Sequence, residues 1–160
     1  MTDKIKIFDL GSNEFKQTKN LLRKFSKQGT VVEVHTFEAQ KNLALSNLGG
    51  LKKEYPLTTF ISRASKDYNY DDAILTPAIN FVRYFQENSS ESMYNIIKMD
   101  IEGAEYTILP DLIRSPSIKN LDELLCEWHA QMYRENLAQR EEFFSIEKNI
   151  KQELSKLPIK

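Results

Sequence analysis

The sequence predicts a doubly wound α/β fold, a mostly parallel sheet with helices on both faces. Three observations predict it. Apolar, β-branched runs alternate with amphipathic stretches from end to end, so neighbouring strands must pair in parallel through right-handed crossovers. Five such runs fit within 160 residues, the size of one domain spanning 1–160. The charged motifs fall at the carboxyl ends of these runs, where doubly wound sheets bind ligands beside the point at which strand order reverses.

The elements follow in order. KIKIFDL, 4–10, forms the first strand, with Ile5, Ile7 and Phe8 feeding a core. NEFKQTKNLLRKFSKQ carries Phe15, Leu22 and Phe25 at helical spacing, with Asn13 as its N-cap and Gly29 as its end. TVVEVHTFE, 30–38, is β-branched enough for the second strand. A helix around 40–54 closes at Gly49-Gly50 or shortly after, and TTFISRA, 58–64, is the third strand. SKDYNYDDAILT, 65–76, reads as a polar loop. Thr76-Pro77 then starts a helix, a capping hydroxyl before proline at the first helical position, from which Ile79, Val82 and Phe85 face inward.

NSSES ends that helix and MYNIIKMD is strand four. The helix after 103 shows Ile108, Leu109, Leu112 and Ile113 on one side, and Pro110 is expected to kink it or divide it in two. LDELLCEW, 121–128, is strand five, and a last helix carries Phe143, Ile146, Ile150, Leu154 and Leu157.

Composition narrows the function. An apolar fraction of 41%, a charged fraction of 28% and a net charge of −1 describe a soluble globule with both signs interspersed. No cluster of Lys and Arg offers a nucleic-acid surface. The single cysteine, Cys126, excludes an internal disulfide framework, offers no zinc quartet and is expected to be a small core residue; no metal is expected. No run reaches the length of a membrane span and the N-terminus has no apolar signal region, so the cytoplasm is the expected location.

Four motifs carry chemistry. DLGSNEF, 9–15, places an acid and one glycine between the first strand and the first helix. Several glycines would be needed to bring a dinucleotide pyrophosphate against this loop, which disfavours a nicotinamide-dependent oxidoreductase. Backbone N–H groups here could face a carboxylate while Asp9 receives an ammonium; the alternative is a simple Asp-Gly turn. Glu38 ends the second strand, where a carboxylate can accept both hydroxyls of a ribose or stand solvated.

In KMDIEG, Lys98 and Asp100 point the same way, and Lys98 is expected to pair with Asp100 or Glu102. Gly103 permits a tight turn, and Glu102 and Glu105 are read into the first helical turn, where the macrodipole favours them. In CEWH, Glu127 and His129 share a face if the strand persists, and His129 suits proton transfer near neutral pH. His35, mid-strand, reads as a core or sheet-face residue.

FDLGSN, HTFEAQ, FISRAS, IIKMDIEGAEYTILPDL and LLCEWH, in that order over 5–129, resemble the FkbM-type family of S-adenosylmethionine-dependent methyltransferases. K-x-D-x-E-G-x-E at 98–105 is the most specific part. The resemblance implies the Rossmann-like class I methyltransferase fold and methylation of a hydroxyl on a sugar, polyketide or other small-molecule or glycan acceptor. By position, Asp9, Gly11, Ser12 and Asn13 line the methionine end of S-adenosylmethionine. Glu38 holds the ribose, Ala64 and Ser65 border the adenine, and Asp100 lies near the sulfonium.

Most of the catalysis implied is alignment of hydroxyl and methyl carbon, with His129 as first candidate for the base and Glu102 as second. Two departures bear on this. Phe15 stands where many members have glycine and is expected to narrow the methionine pocket. The sequence ends at LPIK, where the family continues into further strands; either the sheet is shorter here, with missing or shortened C-terminal strands and an exposed edge that would favour self-association, or the chain is a fragment or a divergent form. The competing reading is a methyltransferase-like binding or assembly module without turnover.

Overall fold

A computed structural model of the chain describes residues 4–12, 15–26, 30–38, 41–64, 79–132 and 137–160. Five strands, β1 (Lys4–Leu10), β2 (Val31–Glu38), β3 (Thr59–Ala64), β4 (Tyr94–Met99) and β5 (Glu123–Cys126), form one sheet in the order β3-β2-β1-β4-β5. Every neighbouring pair is parallel. Helices α1 (Lys16–Phe25), α2 (Lys41–Glu54), α3 (Phe81–Asn88) and α4 (Glu105–Arg114) connect successive strands, and α5 (Leu137–Leu154) follows β5. The chain steps outward from β1 to β3, then returns to the other side of β1 for β4 and β5. Strand order therefore reverses between β1 and β4, and a crevice opens outside their carboxyl ends.

Both faces of the sheet are covered, which is why the central strands read as nearly continuous apolar runs. Ile5, Ile7, Val32, Val34 and Ile96 pack with Phe15, Leu21, Leu22 and Leu51 from the α1–α2 layer. Phe8, Leu10, Ile97 and Met99 point the other way, to Phe81 and Phe85 of α3, Leu109 and Leu112 of α4 and Ile150 of α5. His35 is buried in this aromatic layer, its Nδ1 2.6 Å from the Tyr84 hydroxyl and its Nε2 2.5 Å from Glu33, the structural role its mid-strand place implies.

Several local expectations change. Phe15, not Asn13, occupies the N-cap position of α1, with φ 58° in the left-handed region that favours glycine. Its ring is buried among Ile7, Leu21 and Leu22, so it fills the core and does not narrow a ligand pocket. Helix α1 ends at Phe25; Asn13 and Gly29 lie outside the described residues, as do Thr76 and Pro77. The cap of α3 is Asn80, whose side chain accepts from Arg83 N at 3.0 Å. Phe81 and Phe85 are therefore its inward positions, while Ile79, ahead of the cap, is 42% exposed.

Gly49 and Gly50 lie inside α2, and α4 runs undivided through Pro110. β5 stops at Cys126, after which Glu127 N still donates to Met99 O at 2.9 Å. Its outer edge is partly covered: Lys160 N donates to Asp122 O at 2.9 Å, and Leu124 N donates to Lys160 O at 3.0 Å. Cys126 is only part-buried, and burial pushes its thiol up to about 12. No helix among the described residues is long and apolar enough to cross a membrane.

Candidate active site

The crevice is built from the tips of three adjacent strands. Asp9 pairs in register with Thr36 of β2 and Lys98 of β4, so Glu38 and Asp100, two residues further along, belong to the same side of the sheet. The three carboxylates thus lie along one edge, although their exposures differ. Asp9 is 1% exposed and faces inward. Thr18 Oγ1 donates to its Oδ2, and Lys98 Nζ stands 3.4 Å from its Oδ1. Burial pushes the Asp9 carboxyl above its ordinary value, with Lys98 and Thr18 pulling the other way.

Gly11 joins the loops after β1 and β4. Its φ is 74°, its N–H donates to Phe37 O at 2.8 Å, and Asp100 N donates to Leu10 O at 3.0 Å. A Cβ added at Gly11 would stand 1.7 Å from Asp100 O, so only glycine fits. The sequence suggested backbone approach to a ligand; the approach found is to another segment of the chain. Ser12 is buried, its hydroxyl donating to Asp9 O at 3.1 Å. Asp9 and Ser12 are therefore both buried beneath these loops.

Lys98 knits these loops together. Its ammonium donates to Gly11 O at 2.6 Å and lies 3.4 Å from both Asp9 Oδ1 and Asp100 Oδ2. The expected pairing with Asp100 is present, and Asp9 and a backbone carbonyl join it. Glu102 turns instead toward His129. It precedes α4 in a turn, at φ 54° and 66% side-chain exposure, with Gly103 at φ 108° after it.

Glu105 is the residue that sequence reasoning undervalued. Placed in the first turn of α4, it is fully buried, and its two oxygens accept from Ile101 N at 2.8 Å and Gly103 N at 2.7 Å. Its Oε1 also lies 2.9 Å from His129 Nδ1. A carboxylate in this setting accepts, so Nδ1 carries a proton and the ring's orientation is fixed, with Nε2 on the opposite side. That nitrogen lies 3.5 Å from Asp100 Oδ1 and 3.8 Å from Glu102 Oε2. The only hint in the sequence was a second acid three residues after Glu102.

Asp100, 29% exposed at its side chain, is the rim carboxylate of β4, and Glu38, half-buried, is that of β2. Ala64 ends β3 in register with Glu38, which places the β3 tip at the same rim. Asn13 and Ser65 lie outside the described residues.

An all-parallel α/β sheet whose order reverses at β1/β4, with chemistry gathered at that reversal, defines a Rossmann-like domain of the methyltransferase kind. The sequence matches the methyltransferase FkbM domain over residues 9–156, nearly its whole length, and the chain belongs to that methyltransferase family. No curated protein matches the chain. Among solved structures it is similar to the CS-b5R domains of human Ncb5or in the NAD+ form, with 12% identity and a TM-score of 0.41 over 74% of this chain. The chain covers only 36% of that structure, and the likeness is too slight to bear on function.

Proposed function

We propose that the chain uses S-adenosylmethionine to methylate a hydroxyl group on a sugar, polyketide or other small molecule. Family membership supports methyl transfer. The observation that carries the choice of donor is the placement of Glu38 and Asp100 on either side of Gly11 at the strand-order reversal. Such a rim fits the donor's chemistry: a carboxylate for the ribose hydroxyls, a second for the sulfonium, and between them a loop with no side chain at its tightest point.

When bound, S-adenosylmethionine supplies an electrophilic methyl group. The chain's own work is then largely orientation, which can account for about 7–11 kcal/mol of a barrier. Glu38 holds the ribose and Asp100 opposes the positive sulfur. Asp9, Ser12 and Thr18 act from behind, through Lys98 and the first loop. Removal of the acceptor's proton falls to Glu102 after β4 and His129 after β5, whose side chains meet at 3.8 Å.

Isothermal titration with S-adenosylmethionine and S-adenosylhomocysteine tests the reading. Both should bind the full chain, and Glu38→Ala should weaken binding by about tenfold or more, because it removes charge-assisted hydrogen bonds worth about 1.5–3 kcal/mol. Absence of heat at about 1 mM ligand would remove the proposed donor.

A further inference from the structure

Asp100, Glu102 and His129 each offer one ligand atom, and these atoms lie within 4.8 Å of one another. The imidazole distinguishes this cluster from an ordinary acidic patch. With Nδ1 held by the buried Glu105, His129 turns Nε2 toward Asp100 Oδ1 and Glu102 Oε2, and loss of the Nε2 proton on binding would make that nitrogen a ligand. His129 is 5% exposed. Three potential ligand atoms converge, and Lys98 addresses the other Asp100 oxygen, Oδ2, at 3.4 Å.

Ligand atoms around a small divalent cation at about 2.0–2.2 Å stand about 3–3.6 Å apart. The observed separations from His129 Nε2 are 3.5 and 3.8 Å, and all three atoms fall within 4.8 Å of one another, so the exposed Glu102 side chain would have to close the remainder. Glu105 completes the arrangement: a carboxylate on the far nitrogen is the usual device that orients a metal-binding histidine.

We propose that Asp100, Glu102 and His129 bind a divalent first-row cation, with open coordination positions facing the crevice. One imidazole and two carboxylates suit Mn2+, Fe2+ or Zn2+ better than an all-oxygen cage for Mg2+ or Ca2+ would. The use of this cation, though not its binding, rests on the methyltransferase reading. A hydroxyl coordinated to it would lose its proton to bulk water more readily than a free one, leaving an oxygen lone pair for the methyl carbon. His129 and Glu102 then serve deprotonation as ligands, and no free imidazole base is required.

The test titrates the full chain with Mn2+ alone, following loss of the free-ion electron paramagnetic resonance signal, alongside calorimetry with S-adenosylhomocysteine. One Mn2+ per chain should bind more tightly than about 1 mM, and Glu102→Gln should weaken it about tenfold or more. Glu102 is exposed, and the turn's backbone N–H groups of Ile101 and Gly103 are held by Glu105 instead, so that variant should keep the fold; Asp100→Asn should act the same way. No binding at about 1 mM Mn2+, or binding that both substitutions leave unchanged, overturns the proposal. Heat from S-adenosylhomocysteine without Mn2+ binding refutes the cation and leaves the methyl donor standing. Mn2+ binding without that heat supports the cation site and removes the methyltransferase role.

Discussion

Lys98→Met removes a cation that meets Asp9, the Gly11 carbonyl and Asp100 together. Lys98 is 7% exposed at its side chain and Asp9 1%, so solvent screens neither group and the surface-pair value of well under 1 kcal/mol does not apply. Removing one partner of a buried pair costs about 3–5 kcal/mol, because the remaining carboxylate keeps its desolvation penalty. For a domain of this size each kcal/mol lowers Tm by about 2–4 °C, so the variant should melt about 6–20 °C lower at neutral pH.

The sign of the pH dependence follows from Asp9. Burial raises its folded pKa, so the folded chain takes up this proton before the unfolded chain does as pH falls. Its contribution favours the fold at low pH and is lost as pH rises through the folded pKa. Without Lys98 that elevation grows, so the deficit against the parent should be largest near pH 7 and shrink toward about pH 4. Adding Asp9→Asn should recover part of the loss, with a coupling of about 1 kcal/mol or more. A single-variant loss below about 1 kcal/mol, or a double variant whose loss equals the sum, would refute the reasoning.

Three further outcomes are expected. Gly11→Ala should unfold the site, since its Cβ would overlap Asp100 O and φ 74° alone costs about 1–2 kcal/mol; a Tm within 2 °C of the parent, about 1 kcal/mol or less, would contradict the contact. Phe15→Ala should cost about 3–5 kcal/mol by emptying the core while keeping φ 58°. Phe15→Gly should be about 0.5–1 kcal/mol less damaging in urea melts, reversing the usual order of alanine and glycine. With its thiol pushed up to about 12, Cys126 should alkylate far more slowly at about pH 8 than an ordinary thiol titrating near 8.5, as mass spectrometry would read directly.

The sheet was legible because its alternation is local. Ile5, Ile7 and Phe8, or Val32 and Val34, declare a strand without reference to anything distant, and the carboxyl-end placement of Asp9, Glu38 and Asp100 follows from strand order alone. Helix starts were less so. Asn80 caps α3 where Thr76-Pro77 was the stronger local signal, and Phe15 adopts a φ that its type disfavours because burying its ring outweighs the strain.

The site was legible in residue type and opaque in partnership. Glu102 and Glu105 look alike in sequence, yet one is exposed and the other fully buried, because the turn at Gly103 decides which of them faces the protein. The Glu105–His129 contact spans 24 residues and the Lys98–Gly11 contact 87, distances at which spacing carries no information. For the same reason the burial of Asp9 and Ser12, matched by motif to the methionine end of the donor, could not be read from their spacing.

The most direct measurement is the crystal structure of the full chain with S-adenosylhomocysteine. The account predicts the nucleoside over Gly11, both ribose hydroxyls on the Glu38 carboxylate and the sulfur on the side of Asp100. A nucleoside bound elsewhere, or one at the crevice that leaves Glu38 untouched, would contradict it.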